Sequence, residues 1–141
     1  VIEAAVVDAS VAVKWVVEEA GSDRARLLAQ ARLEAPDLLP IECANILWKK
    51  VRIRDLTRQG ASARLDLLLR APISLAETRP LLDTALGLAL ELHHPVHDCV
   101  YLALTLLRGI PLVTADEKLV AALRRSPKLT DRVIRLGDLV E

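Results

Sequence analysis

Short apolar runs alternate along this chain with longer segments of helical period. EAAVVD at 3–8 reads as a buried strand, and residues 10–17 read as one or two helical turns. The spacing predicts a longer helix over 22–33, with Ser22 as N-cap and Leu27, Leu28 and Ala31 on its inner face. APDLL at 35–39 reads as a brief extended link. Pro40 stands where a helix can begin, since its missing N–H costs nothing at a first position, and that helix is expected to reach about Leu56. Gly60 reads as a break, after which helix resumes over 62–70. PISLA at 72–76 is a strand. The helix after Pro80 should end at His93 and His94, because Pro95 disfavours helix in the residue before it. The next helix opens at His97 or Asp98 and runs to Leu107, closed by Gly109. IPLVT at 110–114 is a strand of unbroken apolar character, a helix covers 116–124, and 132–136 is a last strand.

This alternation implies βαβ units, and so an α/β fold with a mainly parallel sheet and helices on both faces. At 141 residues the chain has the length of one domain, 1–141, able to bury a core without disulfides or structural metal. Hydrophobic residues make up 52%, which argues against disorder. The aromatics are only Trp15, Trp48 and Tyr101, too few for a base-stacking platform. The net charge is zero, so any nucleic-acid contact must come from a local patch or from cations seated in an acidic pocket. The two cysteines form no C-x-x-C pair and suit a reducing cytoplasm. Glu3, Asp8 and Lys14 interrupt the N-terminal apolar stretch, so no secretory signal is read there. No apolar run approaches the ~18 residues of a membrane span.

The candidate chemistry lies in four acids. Asp8 ends the first strand and Asp116 follows the strand IPLVT, while Glu42 and Asp98 fall in first helical turns. In an open parallel sheet, strand C-termini and helix N-termini share one edge, so the four are expected to converge there. Taken singly, each has a structural reading. Asp8 and Asp98 could be helix caps, and an acid in a first turn is favoured by the helix dipole. Thr114 and Glu117 fit a capping box, which gives Glu117 a structural role. Jointly, four crowded carboxylates repel unless cations sit among them, and hard oxygen ligands favour Mg²⁺ or Mn²⁺.

At these residues the sequence resembles the PIN-domain family, and within it the VapC-type toxins of toxin–antitoxin pairs. The resemblance is carried by VVDAS at 6–10, PIECANIL at 40–47, HDCVYLALT at 97–105 and LVTADEKL at 112–119, in order along nearly the whole chain. It implies a three-layer α/β/α sandwich and a metal-dependent endoribonuclease, usually a homodimer, inhibited by a cognate antitoxin. The family's acidic pocket carries over to Asp8, Glu42, Asp98 and Asp116, and its small polar supporting positions to Ser10, Asn45 and Thr114. Cys43 and Cys99 beside two of the acids are a mild departure.

Lys49, Lys50 and Arg52, with Arg54, cluster on the helix after Glu42, and Lys14 follows Asp8. They are candidates to track an RNA backbone, against the plainer reading of a solvated helix face. His93, His94 and His97 near Cys99 suggest zinc only weakly, since Pro95 breaks the helix that an i,i+4 pair of histidines needs. The cysteines, one position past site acids, turn about 100° away on a helix and read as buried thiols. Trp15 and Trp48 read as core by default, with a dimer or antitoxin contact as the alternative. Two rivals remain. One is a Mg²⁺-dependent phosphohydrolase using Asp8 as nucleophile, which usually wants a second Asp where Ser10 stands. The other is a PIN-like module that binds RNA or a partner without cleaving.

Overall fold

The computed structural model describes residues 2–140. Five strands form one sheet: β1 (Ala4–Val7), β2 (Arg32–Pro36), β3 (Ile73–Ala76), β4 (Leu112–Thr114) and β5 (Val133–Arg135). Their spatial order is β3-β2-β1-β4-β5, and all four pairings are parallel. Strand order reverses at β1, whose neighbours are β2 on one side and β4 on the other. The carboxyl ends of β1 and β4 therefore flank a topological switch point, where open α/β sheets place their ligands.

Side chains of successive strand residues face opposite ways, and the core divides accordingly. Val6 and Leu112 join one apolar cluster, with Leu39, Tyr101 and Leu104. Ala5, Val7 and Val113 join the other, with Ala25, Leu28 and Leu136. The first face is covered by α3 (Leu39–Arg52), α5 (Leu82–Leu92) and α6 (Val96–Arg108), with α4 (Arg58–Leu69) packed on α3. Short helices α1 (Ala9–Ala12), α2 (Ser22–Arg26), α7 (Glu117–Ala122) and α8 (Pro127–Thr130) complete the connections. No helix among the described residues is long and apolar enough to cross a membrane.

Several local expectations are corrected. The helix over 22–33 stops at Arg26, and residues 32–36 are an interior strand of the sheet instead of part helix and part link. The alternation that signals a strand is masked there by Glu34, which is buried and held by Arg32 and Arg108 at 2.7 and 2.8 Å. Leu27 is consequently exposed, although Leu28 is buried as expected. Ser22 is not the cap: Gly21 holds that position with φ +91°, and the Ser22 hydroxyl instead donates to the Val17 carbonyl. The helix from Pro40 ends at Arg52, where Arg54 takes a left-handed φ of 64°. Gly60 does not break the next helix but lies inside α4, its N–H donating to the cap Thr57. The capping box of Thr114 and Glu117 does not form. Asp116 caps α7 by accepting the N–H groups of Lys118 and Leu119, while Glu117 pairs with Arg135.

Candidate metal centre

Asp8 leaves β1 and becomes the N-cap of α1, accepting the N–H of Val11. Its remaining lone pairs are held by two hydroxyls. Ser10 donates to Oδ1 at 2.5 Å, and Thr114 donates to Oδ2 from the neighbouring strand, 106 positions away. This second contact follows from the β1–β4 register, which sets Val7 beside Val113. The hydroxyls are themselves fixed: Ser10 Oγ accepts the Ala115 N–H, and Thr114 Oγ1 accepts the Asp116 N–H. One network thus locks the ends of β1 and β4 and aims both aspartates at the same edge.

Glu42 and Asp98 arrive on helices that begin at that edge. Glu42, in the first turn of α3, accepts the Tyr101 hydroxyl at 2.6 Å. Asp98, in the first turn of α6, accepts the His94 Nε2–H at 2.6 Å on Oδ2. Asp98 caps nothing, since Pro95 holds the cap position. The four acids line one open cleft of about 420 Å³, with Ser10, Asn45, Ile41, Lys49 and His97 also on its walls.

The electrostatics of this cleft are unusual for an acidic surface. None of the four acids forms an ion pair with Lys or Arg among the described residues; only His94 and His97 approach them. Buried Glu34, with two arginines, shows the ordinary alternative. Burial pushes the Asp8 carboxyl up to about 6, against its three hydrogen bonds, and Asp98 adds repulsion. Burial also raises Glu42, with Asp98 and Asp116 adding to it and Tyr101 opposing it. Asp8 and Glu42, so raised, share the cleft with Asp98 and Asp116, and four carboxylates on one open cleft suit a hard divalent cation.

Some candidates lie elsewhere. The Lys14 ammonium is tied to Glu19 at 2.9 Å and to the Ala20 carbonyl, and Lys50 reaches the other Glu19 oxygen at 2.8 Å. These two cations brace a turn and do not line the cleft. Arg52 stacks over the Trp48 ring, 5.0 Å from its centroid, on the exposed side of α3. Trp48 is half exposed, whereas Trp15 packs against the core and donates to the Ala25 carbonyl. Both cysteines are fully buried, which pushes Cys43 up to about 12 and Cys99 up to about 11.

Sequence reasoning missed His94, His97 and Tyr101. In the sequence the histidines read as exposed or capping residues at a helix break, with zinc the weaker alternative, although His97 adjoins Asp98 and His94 lies four residues before it. Tyr101 gives little signal, because a tyrosine within an apolar helix reads as core.

The PIN domain family model matches residues 5–124. The chain belongs to the PIN domain family. It is also similar to Ribonuclease VapC3 of Pyrobaculum aerophilum, at 36% identity over 118 residues, covering 81% of this chain and 90% of that protein. Among solved structures it resembles the crystal structure of PAE2754 from Pyrobaculum aerophilum. There the TM-score is 0.71 at 26% identity, covering 96% of this chain and 90% of that one. This PIN domain is therefore VapC-like, and its parallel sheet flanked by helices is the fold expected from the sequence.

Proposed function

We propose that this PIN protein is a metal-dependent endoribonuclease, the toxin of a VapBC-type pair, acting in the cytoplasm on RNA. The observation that carries the reading is a cleft lined by four carboxylates with no Lys or Arg ion-paired to them among the described residues. Its similarity to a ribonuclease of the same family supports the substrate class.

Asp8, Glu42, Asp98 and Asp116 would hold one or two Mg²⁺ or Mn²⁺ ions. Such an ion, when bound, lowers the pKa of a water and stabilises negative charge on the phosphate and leaving oxygens. The chain's own residues do the positioning. Ser10 and Thr114 fix the rotamer of Asp8, Tyr101 fixes Glu42, and His94 fixes Asp98. Asn45 lines the cleft and offers an amide to ligand or substrate, and Lys49 offers a cation to the RNA backbone at the rim. With both Asp8 oxygens taken by hydroxyl donors, that carboxylate suits a fixed ligand better than a covalent nucleophile.

The same reading includes partners. Exposed Ile41 on the cleft wall, with exposed Trp48 and Ile53 farther along and just beyond α3, offers apolar surface for an antitoxin, and exposed leucines elsewhere leave room for a second copy. An antitoxin placing a basic side chain among the acids would block the site by charge alone.

The test is cleavage of a mixed RNA pool with Mg²⁺, with Mn²⁺ and with EDTA, beside Asp98→Asn. Cleavage that requires metal and disappears in the variant is the expected result. Wild-type and variant cleaving equally would dismiss the reading.

A further inference from the structure

We infer that His97 is a nitrogen ligand to the bound ion and tilts this site toward Mn²⁺ and similar transition metals over Mg²⁺. The inference rests on the metal-dependent reading above. Carboxylates accept both ions, an imidazole nitrogen adds a donor that favours Mn²⁺ further, and His97 stands on the wall of this chain's own cleft.

The geometry is favourable. His97 Nε2 lies 3.5 Å from Asp98 Oδ1 and 3.9 Å from Glu42 Oε2. Ligand atoms from these three residues all fall within 4.8 Å of one another. Two donors on one ion, with bonds near 2.1 Å, sit about 3.0–3.4 Å apart in cis-octahedral or tetrahedral arrangements. Asp98 Oδ1 is already close to that spacing from His97, and the His97–Glu42 pair must close by about 0.5–0.9 Å for the three to share one centre. His97 is 54% exposed, so its ring can make that adjustment without disturbing the core.

The hydrogen bonding leaves the right atoms available. His94 takes Asp98 Oδ2 and Tyr101 takes Glu42 Oε1. The oxygens nearest to His97 are the other two, Asp98 Oδ1 and Glu42 Oε2. Each carboxylate is thus held by one oxygen and presents its second toward the imidazole. A neutral imidazole nitrogen is a better donor to Mn²⁺, Co²⁺ or Zn²⁺ than to Mg²⁺, which prefers oxygen and retains its waters.

A non-ligating histidine predicts no nitrogen coupling, and its removal would leave Mn²⁺ and Mg²⁺ affinities unchanged or shift both alike. The experiment is calorimetric titration of the full chain with Mn²⁺ and with Mg²⁺, for wild type, His97→Ala, His94→Asn and Asp98→Asn. It is paired with pulsed EPR of bound Mn²⁺ to detect coupling to a ligand nitrogen. Expected are nitrogen coupling in wild type and His94→Asn, its loss in His97→Ala, and a fall in Mn²⁺ affinity of about tenfold or more there, with Mg²⁺ shifted far less. Mn²⁺ binding that is lost in Asp98→Asn but shows no nitrogen coupling in wild type overturns the inference and leaves the metal-dependent reading standing. Parallel changes for both ions in His97→Ala also overturn it. Wild type binding neither ion would bring down both.

Discussion

The Tyr101 hydroxyl donates to Glu42 Oε1 at 2.6 Å, joining α6 to α3 beneath the cleft across 59 sequence positions. Tyr101 is fully buried, and burial holds its hydroxyl protonated well above the ordinary tyrosine range, so it serves Glu42 as a permanent donor. Tyr101→Phe keeps the ring and removes only this donor. A hydrogen bond to a charged group contributes about 1.5–3 kcal/mol, so urea denaturation at neutral pH should show a loss toward the lower end of that range. Metal affinity should fall about tenfold, because Glu42 becomes harder to ionise and loses its orientation. Unchanged metal binding would show that Tyr101 acts only in packing.

Asp8 sets a pH dependence with a definite sign. Its folded value, about 6, lies above the ordinary value of 3.8, so the folded state retains a proton that the unfolded state has released. Its favourable contribution is complete below about pH 4 and is lost as pH rises through about 6. In EDTA, this group alone should lower stability by up to about 3 kcal/mol across that window. If Asp8 is the proposed metal ligand, divalent metal should reverse the trend by favouring the ionised carboxylate, and its affinity should climb over the same pH range. Denaturation midpoints at pH 4.5 and 7, with and without Mn²⁺, measure both effects, using roughly the window that the linkage defines. In Asp8→Asn the EDTA slope between those pH values should flatten.

Asp116 has two roles that substitution can separate. It caps α7 through two backbone N–H groups and also faces the cleft. Asn caps nearly as well as Asp, whereas Ala loses about 1 kcal/mol. Asp116→Asn should therefore abolish RNA cleavage while leaving thermal stability in EDTA unchanged or raised, by relief of repulsion with Glu42. Asp116→Ala should lose both activity and stability. Equal melting temperatures for the two variants would rule out the capping role.

The neighbouring lysines should behave differently. Lys49 lines the cleft, while Lys50 is tied to Glu19. Lys49→Ala should weaken RNA binding and reduce the salt slope by about one counterion, as expected for a phosphate contact. Lys50→Ala should leave that slope alone and cost about 0.5–1 kcal/mol of stability through the lost pair. Filter binding at several salt concentrations, with Asp98→Asn as background to prevent cleavage, compares them directly. A reduced slope for Lys50→Ala alone would reverse the assignment.

The sequence by itself determined the α/β class and the chain positions of the four acids, because both follow from local rules. Apolar period distinguishes β1 and β4 from α5 and α6, and an acid placed after a strand or in a first helical turn is assigned to one sheet edge by parallel topology alone. The tertiary structure decided what depends on distant partners. β2 was hidden because a buried Glu34 looks polar until Arg32 and Arg108 are seen to hold it. Lys14 and Lys50 looked like one basic surface with Lys49 until both closed on Glu19. The positions of Thr114 beside Asp8 and His97 beside Glu42 were fixed by strand register and helix packing across scores of residues. Periodicity reports which way a side chain faces its own element, and it carries no information about which side chain of another element will stand opposite.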